Sequence, residues 1–347
     1  MSVDNIRKNA KEKLKGICGV YKICDGDPAR LCQNNSYSRT IGLGGVGSGA
    51  SFTNNVSALK NIKLKMSVIG SSFEPNTDYD FFGKKLSMPI MGASVTGVNS
   101  FGGDKVMTEN DFCHATIVGC KEAETVGWRG DTYTYTWDFM PCYDAICSVD
   151  GWGVKIGKPR DQETLKKIYK KYESAGAIAV GVDVDGCGST IMSKHEKPVF
   201  RKSVGDLKEL AKSTTLPFIV KGIMSVEDAL SVVETGASAL VVSNHGGRVL
   251  DHTPGTAKVL PEIVDAVRGK IKIMVDGGVR TGYDVLKMLA IGAESVLIGR
   301  DIIRAAVGGG VEGVQIQMNY LKQTLKKAMK MTDCQNLDSI SREILII

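Results

Sequence analysis

Eight short apolar runs recur along this chain from Met88 onward, and each ends in glycine or polar residues. They read MPIMGAS, ETVGWRG, GWGVKIG, AIAVGVDVD, FIVKGI, ALVVSNH, KIMVDGG and SVLIGRD. Nearly all are continuous rather than alternating, which is typical of parallel strands that are buried on both faces. The runs therefore predict eight strands of one parallel sheet.

Helical patterns separate these runs. QETLKKIYKKYESAG follows the third run, and two later helices are predicted to begin after the N-caps Ser225 and Thr281 and to end at Gly236 and Gly292. Strand–helix alternation repeated about eight times predicts an α/β fold, a (β/α)8 TIM barrel. A doubly wound open sheet is the alternative, and the lack of a GxGxxG turn after the first strand disfavours it.

Two stretches interrupt the simple repeat. The lead segment begins as a basic helix and passes into the glycine-rich GLGGVGSGASFTNN, either a surface linker or a loop that is mobile or lies against a ligand. The aromatic stretch DTYTYTWDFMPCYDAICSVDG occupies the place of the second barrel helix. Such segments can cover the rim where barrel sites form. We expect a single domain over residues 1–347, with a lead segment at 1–85, the barrel at 86–310 and C-terminal helices at 311–347.

Composition narrows the class of protein. The chain of 347 residues is 43% hydrophobic and 24% charged, which excludes a disordered chain. Its formal charge of +6 is spread along the sequence, so no nucleic-acid partner is predicted. No run of 18 apolar residues and no secretory apolar segment is present, so we predict no membrane span and a cytoplasmic location.

Nine cysteines without a secretory signal are interpreted as reduced intracellular thiols. Three of them, Cys18, Cys24 and Cys32, cluster near the start. Their spacing matches no standard zinc or iron–sulfur pattern, so they are expected to be small semi-buried hydrophobes and no metal site is predicted.

The last two predicted strands end in a pattern suited to phosphate. Function in a (β/α)8 barrel lies at the C-terminal strand ends, and the loops after strands seven and eight often bind phosphate. Both ends are rich in glycine, which favours a phosphate site over plain turns. The candidate residues are Asp276, Gly277, Gly278 and Arg280 after the seventh strand, and Gly299 and Arg300 after the eighth.

Lys221, His245 and Arg248 are the candidates for chemistry. Lys221 ends the fifth strand, where an ammonium needs an anionic partner or must lose its charge; Schiff-base chemistry, anion stabilisation and a solvated rim lysine all remain open. His245 and Arg248 lie in SNHGGR after the sixth strand. An imidazole suits a general base and a guanidinium clamps a carboxylate, so this pair indicates proton abstraction from a small organic acid.

Three long stretches carry a family resemblance: LPFIVKGIMSVEDAL, VVSNHGGRVLDHTPGTAKVLPEIV and IMVDGGVRTGYDVLKMLAIGAESVLIGR. They resemble the FMN-dependent α-hydroxy-acid oxidase and dehydrogenase family, which includes glycolate oxidases, lactate oxidases and flavin lactate dehydrogenases. The resemblance is loose over residues 80–105, moderate over 158–185 and close over 216–347. It implies FMN as cofactor and oxidation of a 2-hydroxy acid to a 2-oxo acid, with the α-hydrogen leaving as hydride to flavin N5.

The resemblance also implies residue roles. His245 would be the base, Arg248 would bind the substrate carboxylate and Asp185 would orient His245. Lys221 would stabilise negative charge at the flavin N1/O2 edge, and Ser243 would also contact the flavin. The backbone of Ala93, Ser94 and Thr96 would pass beside the ring, while Asp276 to Arg280, Gly299 and Arg300 would hold the ribityl chain and phosphate.

The N-terminal half departs from the family pattern. Both substrate tyrosines of the family are missing, one from the lead segment and one from the Gln-x-Tyr that ends the third strand. That strand reads VKIGKPRD here, which places Lys155 near flavin N5/O4, or Lys158 after a small shift. Asp183 is an additional carboxylate, expected to pair with Lys155 or to join a structural ion pair.

Three functions remain in competition at this stage. The first is a 2-hydroxy-acid dehydrogenase with an unusual substrate. The second is an isomerase-like reaction on reduced FMN, which the HGGR arrangement disfavours. The third is an FMN-binding protein without hydroxy-acid turnover, suggested by the missing tyrosines. The sequence does not identify the electron acceptor, and the resemblance implies a homo-oligomer, a tetramer.

Overall fold

The predicted strands form one parallel sheet in the computed structural model, which describes residues 1–14 and 44–346. From the second strand to the eighth, each strand pairs with its sequence neighbour, and the eighth pairs with the first. A bridge between Gly92 and Gly127 joins the first two strands, so the (β/α)8 barrel prediction is confirmed. The barrel strands are β1 (Ile90–Gly92), β2 (Trp128–Arg129), β3 (Val154–Gly157), β4 (Ala179–Asp183), β5 (Phe218–Ile223), β6 (Ala239–Val242), β7 (Lys272–Val275) and β8 (Ser295–Ile298).

The helices surround this sheet. Ser225 and Thr281 cap their helices as predicted, each accepting a backbone N–H three residues on. The helix after Ser225 ends at Val233, a turn before the predicted Gly236. The helices are α1 (Val3–Lys13), α2 (Ala50–Asn61), α3 (Glu109–Glu122), α4 (Pro141–Cys147), α5 (Gln162–Ser174), α6 (Thr190–Lys194), α7 (Val204–Lys212), α8 (Val226–Val233), α9 (Thr256–Val267), α10 (Gly282–Ile291) and α11 (Arg300–Met331).

The strands separate two apolar cores. Successive residues of a strand face opposite sides of the sheet, so Ile219 of β5 lies in the barrel interior and Val220 lies against the helices. The same alternation points Lys221 back to the interior. The barrel interior is filled by apolar side chains from all eight strands, including Met91, Trp128, Ile156, Ala179, Ile219, Val241, Met274 and Leu297. Polar residues that continue this inward alternation past the strand ends therefore meet at the barrel mouth.

Segments outside the repeat close the two ends of the molecule. The hairpin Tyr79–Phe81 with Lys84–Leu86 inserts Phe81 into the barrel interior. The strand Lys63–Leu64 pairs with Leu345–Ile346. Helix α1 packs on α11, where Lys13 donates to the carbonyl of Val307 close to a break at Gly310, whose φ is +59°.

The glycine-rich segment lies against the loop that follows β6, where the Val46 amide donates to the Gly247 carbonyl at 2.9 Å. Its first glycine and Cys18, Cys24 and Cys32 are outside the described residues. Within the described ranges, no helix is long and apolar enough to cross a membrane.

Candidate active site

His245 lies at the barrel mouth in a turn that few sequences can form. His245, Gly246 and Gly247 have φ values of +57°, +62° and +78° in succession. A Cβ at Gly247 would lie 2.4 Å from the Phe52 amide nitrogen, so only glycine permits α2 to approach this closely. The turn directs the imidazole inward, where its Nδ1 lies 2.8 Å from Asp185 Oδ1 and its Nε2 lies 3.1 Å from Lys158 Nζ.

Two carboxylates contact this imidazole, the buried Asp183 and the partly buried Asp185, and their pKa values shift in opposite directions. Burial raises the pKa of Asp185, and the neighbouring charge of Asp183 raises it further. Burial also acts to raise the pKa of Asp183, but the charges of His245, Lys158 and Lys221 outweigh it and hold that pKa well below its usual value. Asp183 is therefore the firmly ionised member, and Asp185 is the one tuned toward protonation.

Lys221 is a buried ammonium rather than a free amine. Its Nζ lies 3.0 Å from Asp183 Oδ1 and 3.9 Å from Asp276 Oδ2. Burial alone would lower its pKa, but Asp183, Asp185 and Asp276 together raise it. A lysine that keeps its proton does not act as a Schiff-base nucleophile, so anion stabilisation is the chemistry that this geometry supports.

Arg248 follows β6, as His245 does, but its side chain contacts a different part of the barrel mouth. Its guanidinium donates to the Ser100 carbonyl at 2.8 Å, in the loop after β1. Burial lowers its pKa to about 10, which leaves it a cation at neutral pH. A desolvated guanidinium is suited to hold a carboxylate.

The sequence placed either Lys155 or Lys158 near the flavin, and the structure decides between them. Val154 and Ile156 point into the barrel, so Lys155 points outward into the helix layer, where it contacts the Gly130 carbonyl and Cys142. Lys155 is therefore not at the flavin site, and it does not pair with Asp183. The inward position belongs to Lys158, whose Nζ lies 2.8 Å from Asp183 Oδ2.

The remaining predicted cofactor residues lie at the ends of β1, β6, β7 and β8. The Ser243 hydroxyl accepts the His245 amide, and the Thr96 hydroxyl accepts the Gly130 amide beside Ala93 and Ser94. Asp276 Oδ1 is buried, and no described residue donates to it. A bound ribityl hydroxyl would satisfy this oxygen, so the residues present fit the predicted FMN.

The two arginines of the predicted phosphate end are engaged with protein groups. Arg280 contacts the Asp301 carboxylate. Arg300 donates to the carbonyls of Gly44 and Gly246, each at 2.8 Å, and its guanidinium stacks over Phe52 at 4.2 Å. Arg300 thus ties the glycine-rich segment to the turn that holds the imidazole.

Sequence reasoning missed several supporting residues. Asn55 of α2 donates to the Asn244 side chain at 2.9 Å and accepts the Thr256 amide, which braces the loop after β6. Phe52 and Ser100 contact the two arginines of the mouth. The only signal for Asn55 was its place at the end of the glycine-rich segment.

Fold and site together define a barrel enzyme whose polar mouth holds an imidazole between carboxylates. The chain belongs to the FMN-dependent dehydrogenase family, whose model matches residues 39–201 and 188–347. The predicted family, its FMN cofactor and the oxidoreductase class are thereby confirmed.

Curated relatives and solved structures agree with this assignment. The chain is 47% identical over 322 residues to the peroxisomal (S)-2-hydroxyacid oxidase GLO3 of Arabidopsis thaliana, covering 83% of this chain and 86% of that protein. It is 45% identical over 332 residues to 2-hydroxyacid oxidase 1 of Homo sapiens, covering 84% and 87%. A crystal structure of mandelate oxidase with benzoyl-formic acid matches with a TM-score of 0.78 and 25% identity, covering 99% and 97%.

Proposed function

We propose that His245 and Arg248 carry the FMN-dependent oxidation of a 2-hydroxy acid to a 2-oxo acid. The family assignment and the 2-hydroxyacid oxidase relatives support this class of reaction. They do not favour the isomerase-like alternative. The observation that carries the assignment of roles is the imidazole of His245, held at Nδ1 by Asp185 with Nε2 facing the mouth. The cytoplasmic location stays a prediction, because the Arabidopsis relative is named a peroxisomal enzyme.

FMN would be held by inward-facing groups at the strand ends. When bound, FMN supplies a two-electron acceptor for the hydride that leaves the substrate. Lys221 and Ser243 would face its ring, and Asp276 would bind its ribityl chain. The full set proposed to contact FMN is Ala93, Ser94, Thr96, Lys221, Ser243, Asp276, Gly277, Gly278, Arg280, Gly299 and Arg300.

His245 would take the hydroxyl proton at Nε2. The contact from Lys158 Nζ to Nε2 requires a lone pair on that nitrogen, since an ammonium can only donate. The other nitrogen then carries the hydrogen and donates to Asp185, which fixes the tautomer and would stabilise the imidazolium that forms. Arg248 would hold the substrate carboxylate, which places the hydroxyl at the imidazole.

Lys158 would contact the substrate hydroxyl oxygen. Its ammonium now lies on the nitrogen that the hydroxyl must reach, so the substrate displaces it from Nε2 while Asp183 retains it. A cation beside this oxygen favours loss of the hydroxyl proton. Lys158 and Asp183 together add no net charge to the mouth, which explains why the extra carboxylate accompanies the extra lysine.

An anaerobic titration tests this function. Purified protein with bound FMN is mixed with a panel of 2-hydroxy acids of differing chain length, both enantiomers of each, and with the matching 3-hydroxy acids as controls. We expect loss of the oxidised flavin absorbance with at least one 2-hydroxy acid and none of the controls. Protein that binds FMN but is reduced by no 2-hydroxy acid would contradict the proposal.

The proposal also covers the domain organisation of the chain and its oligomeric state. We propose one barrel domain over residues 1–347, with the lead segment at 1–85 and C-terminal helices at 311–347, acting as a homo-oligomer, a tetramer. The packing of α1 on α11 supports a single unit, because it joins the first and last helices. Size-exclusion chromatography with light-scattering detection is expected to give the mass of four chains.

A further inference from the structure

A buried carboxylate behind the barrel mouth holds the loop that follows β1. Glu109 opens α3, and its side chain is 8% exposed. Five groups in the described part of the chain donate to this carboxylate: the amides of Gly97 at 3.1 Å and Val98 at 2.6 Å, the Tyr135 hydroxyl at 2.6 Å, the Arg129 guanidinium at 3.4 Å and the Cys113 thiol at 3.6 Å. The proposed reaction does not use Glu109, although the loop that it holds lies at the mouth.

Only a group that accepts on both of its ends fits this position. An ionised carboxylate does so, whereas a carboxamide presents an NH2 group on one side. In Glu109→Gln that NH2 group would face either the Val98 amide at Oε2 or the four donors at Oε1. Gly97 and Val98 are buried, so an amide that loses its acceptor here is not satisfied by water. We therefore expect Glu109→Gln to loosen the loop, although the two side chains have nearly the same shape.

The loop connects Glu109 to the substrate side through Ser100. Gly97 has a φ of +81°, and a Cβ there would lie 2.6 Å from Ser100 Oγ, so the turn is tight. The Ser100 amide donates to the Gly97 carbonyl at 2.7 Å, which closes a single turn over Val98–Ser100. The Ser100 carbonyl in turn accepts the Arg248 guanidinium at 2.8 Å. Glu109 thus fixes the start of a turn whose end contacts Arg248.

The aromatic segment after β2 is attached to the same loop. Tyr135 of this segment is buried, and its hydroxyl reaches the Glu109 carboxylate. The Gly130 amide, just before the segment, donates to the Thr96 hydroxyl at 2.7 Å. The two segments are therefore joined at two points, directly at Thr96 and through Glu109.

We propose that Glu109 is a positioning residue for substrate binding. Its carboxylate fixes the turn that ends at Ser100, and the Ser100 carbonyl directs Arg248 toward the substrate carboxylate. This role depends on the one proposed above for Arg248, which holds that carboxylate. Glu109 itself does not touch the substrate, so its loss should weaken carboxylate binding more than it slows flavin reduction by bound substrate.

Calorimetric titration with oxalate tests this role. Oxalate carries a carboxylate and an α-oxygen but no α-hydrogen, so it can bind without reducing the flavin. With full-length protein and bound FMN, Glu109→Gln is expected to raise the Kd of oxalate about tenfold, the equivalent of one hydrogen bond to a charged group. The control Glu122→Gln, exposed at the other end of α3, should leave the Kd unchanged. A Glu109→Gln protein that is less stable to urea but binds oxalate with the wild-type Kd would show a purely structural role and overturn the proposal.

A double-variant cycle separates this role from that of Arg248. Arg248→Lys alone should raise the Kd of oxalate, because it removes the bidentate fork. If it does not, or if the wild type binds no oxalate, the role proposed for Arg248 fails, and that of Glu109 fails with it. In the Arg248→Lys background, Glu109→Gln should change the Kd by less than about twofold, since both act through one guanidinium. The same tenfold effect in both backgrounds would overturn the role of Glu109 and leave that of Arg248 in place.

Two milder variants keep the test decisive if Glu109→Gln does not fold. Glu109→Asp keeps a group that only accepts but shortens its reach, and Tyr135→Phe removes one donor from an intact carboxylate. Each is expected to raise the Kd of oxalate about threefold. The wild-type Kd in both variants would contradict the proposal.

Discussion

Lys155 lies within β3 and Lys158 directly follows it, three residues further on, yet the two side chains have different chemical surroundings. Lys158 continues the inward alternation of Val154 and Ile156 and meets Asp183 and His245 at the mouth. Lys155 faces the helices and meets only a carbonyl, a sulfur and two rings. The comparison shows that the face of the strand, rather than distance along the chain, decides whether a buried cation serves the reaction or the helix layer.

The largest expected effect tests the mouth. His245→Gln should slow anaerobic reduction of the bound FMN by 2-hydroxy acid by about 10²–10⁴-fold, the range for a positioned acid–base group. Stopped-flow absorbance measures the rate. His252→Gln is the control, since the side chain of His252 is 78% exposed. Equal rates for His245→Gln and wild type would remove the imidazole from the mechanism.

Variants of the two lysines are expected to change different quantities, the rate of flavin reduction for Lys158 and the free energy of unfolding for Lys155. Lys158→Met is expected to slow flavin reduction by about 10²-fold, because it removes a cation beside the substrate oxygen. Lys155→Met should leave that rate far less changed but lower the free energy of unfolding by about 1–3 kcal/mol, since it leaves the buried Gly130 carbonyl without its side-chain donor. Urea unfolding and stopped-flow reduction on both variants check this, and a slow, stable Lys155→Met would reverse our assignment of the two faces.

A smaller effect concerns pH. The pKa of Asp185 is raised by burial and by the charge of Asp183. Protonated Asp185 no longer accepts from the imidazole, so the flavin-reduction rate should fall as pH decreases through this raised pKa. Asp183→Asn removes the repelling charge, so the acid limb of the pH–rate profile should move to lower pH. The exposed control Asp338→Asn should leave the limb in place, and a shift to higher pH in Asp183→Asn would contradict the electrostatic account.

Sequence reasoning located the strand ends well because glycine and polar residues interrupt continuous apolar runs there. His245, Asp185 and Lys221 lie at the ends of such runs. In the structure Asp183 contacts both His245 and Lys221, and Asp185 contacts His245. Lys155 was placed at the flavin by alignment with the family's Gln-x-Tyr, with Lys158 as the alternative, because VKIGKPRD has no apolar residue after Ile156 to set the alternation near the mouth. The inward face became certain only from the packing of Val154 and Ile156 against other strands.

Contacts between distant segments were beyond reach for a different reason. Phe52 under Arg300 and Asn55 against Asn244 depend on how α2 docks on the loop after β6. Neither residue carries a periodic or motif signal of its own.

The most direct test of the central claim is a single-turnover reduction with a 2-hydroxy acid deuterated at the α-carbon. If the inward residues at the mouth align that carbon for hydride loss while His245 takes the hydroxyl proton, deuteration should slow the loss of flavin absorbance several-fold in the wild type. Reduction that proceeds at the same rate with hydrogen and deuterium at every pH and substrate concentration, or no reduction by any 2-hydroxy acid, would contradict the account.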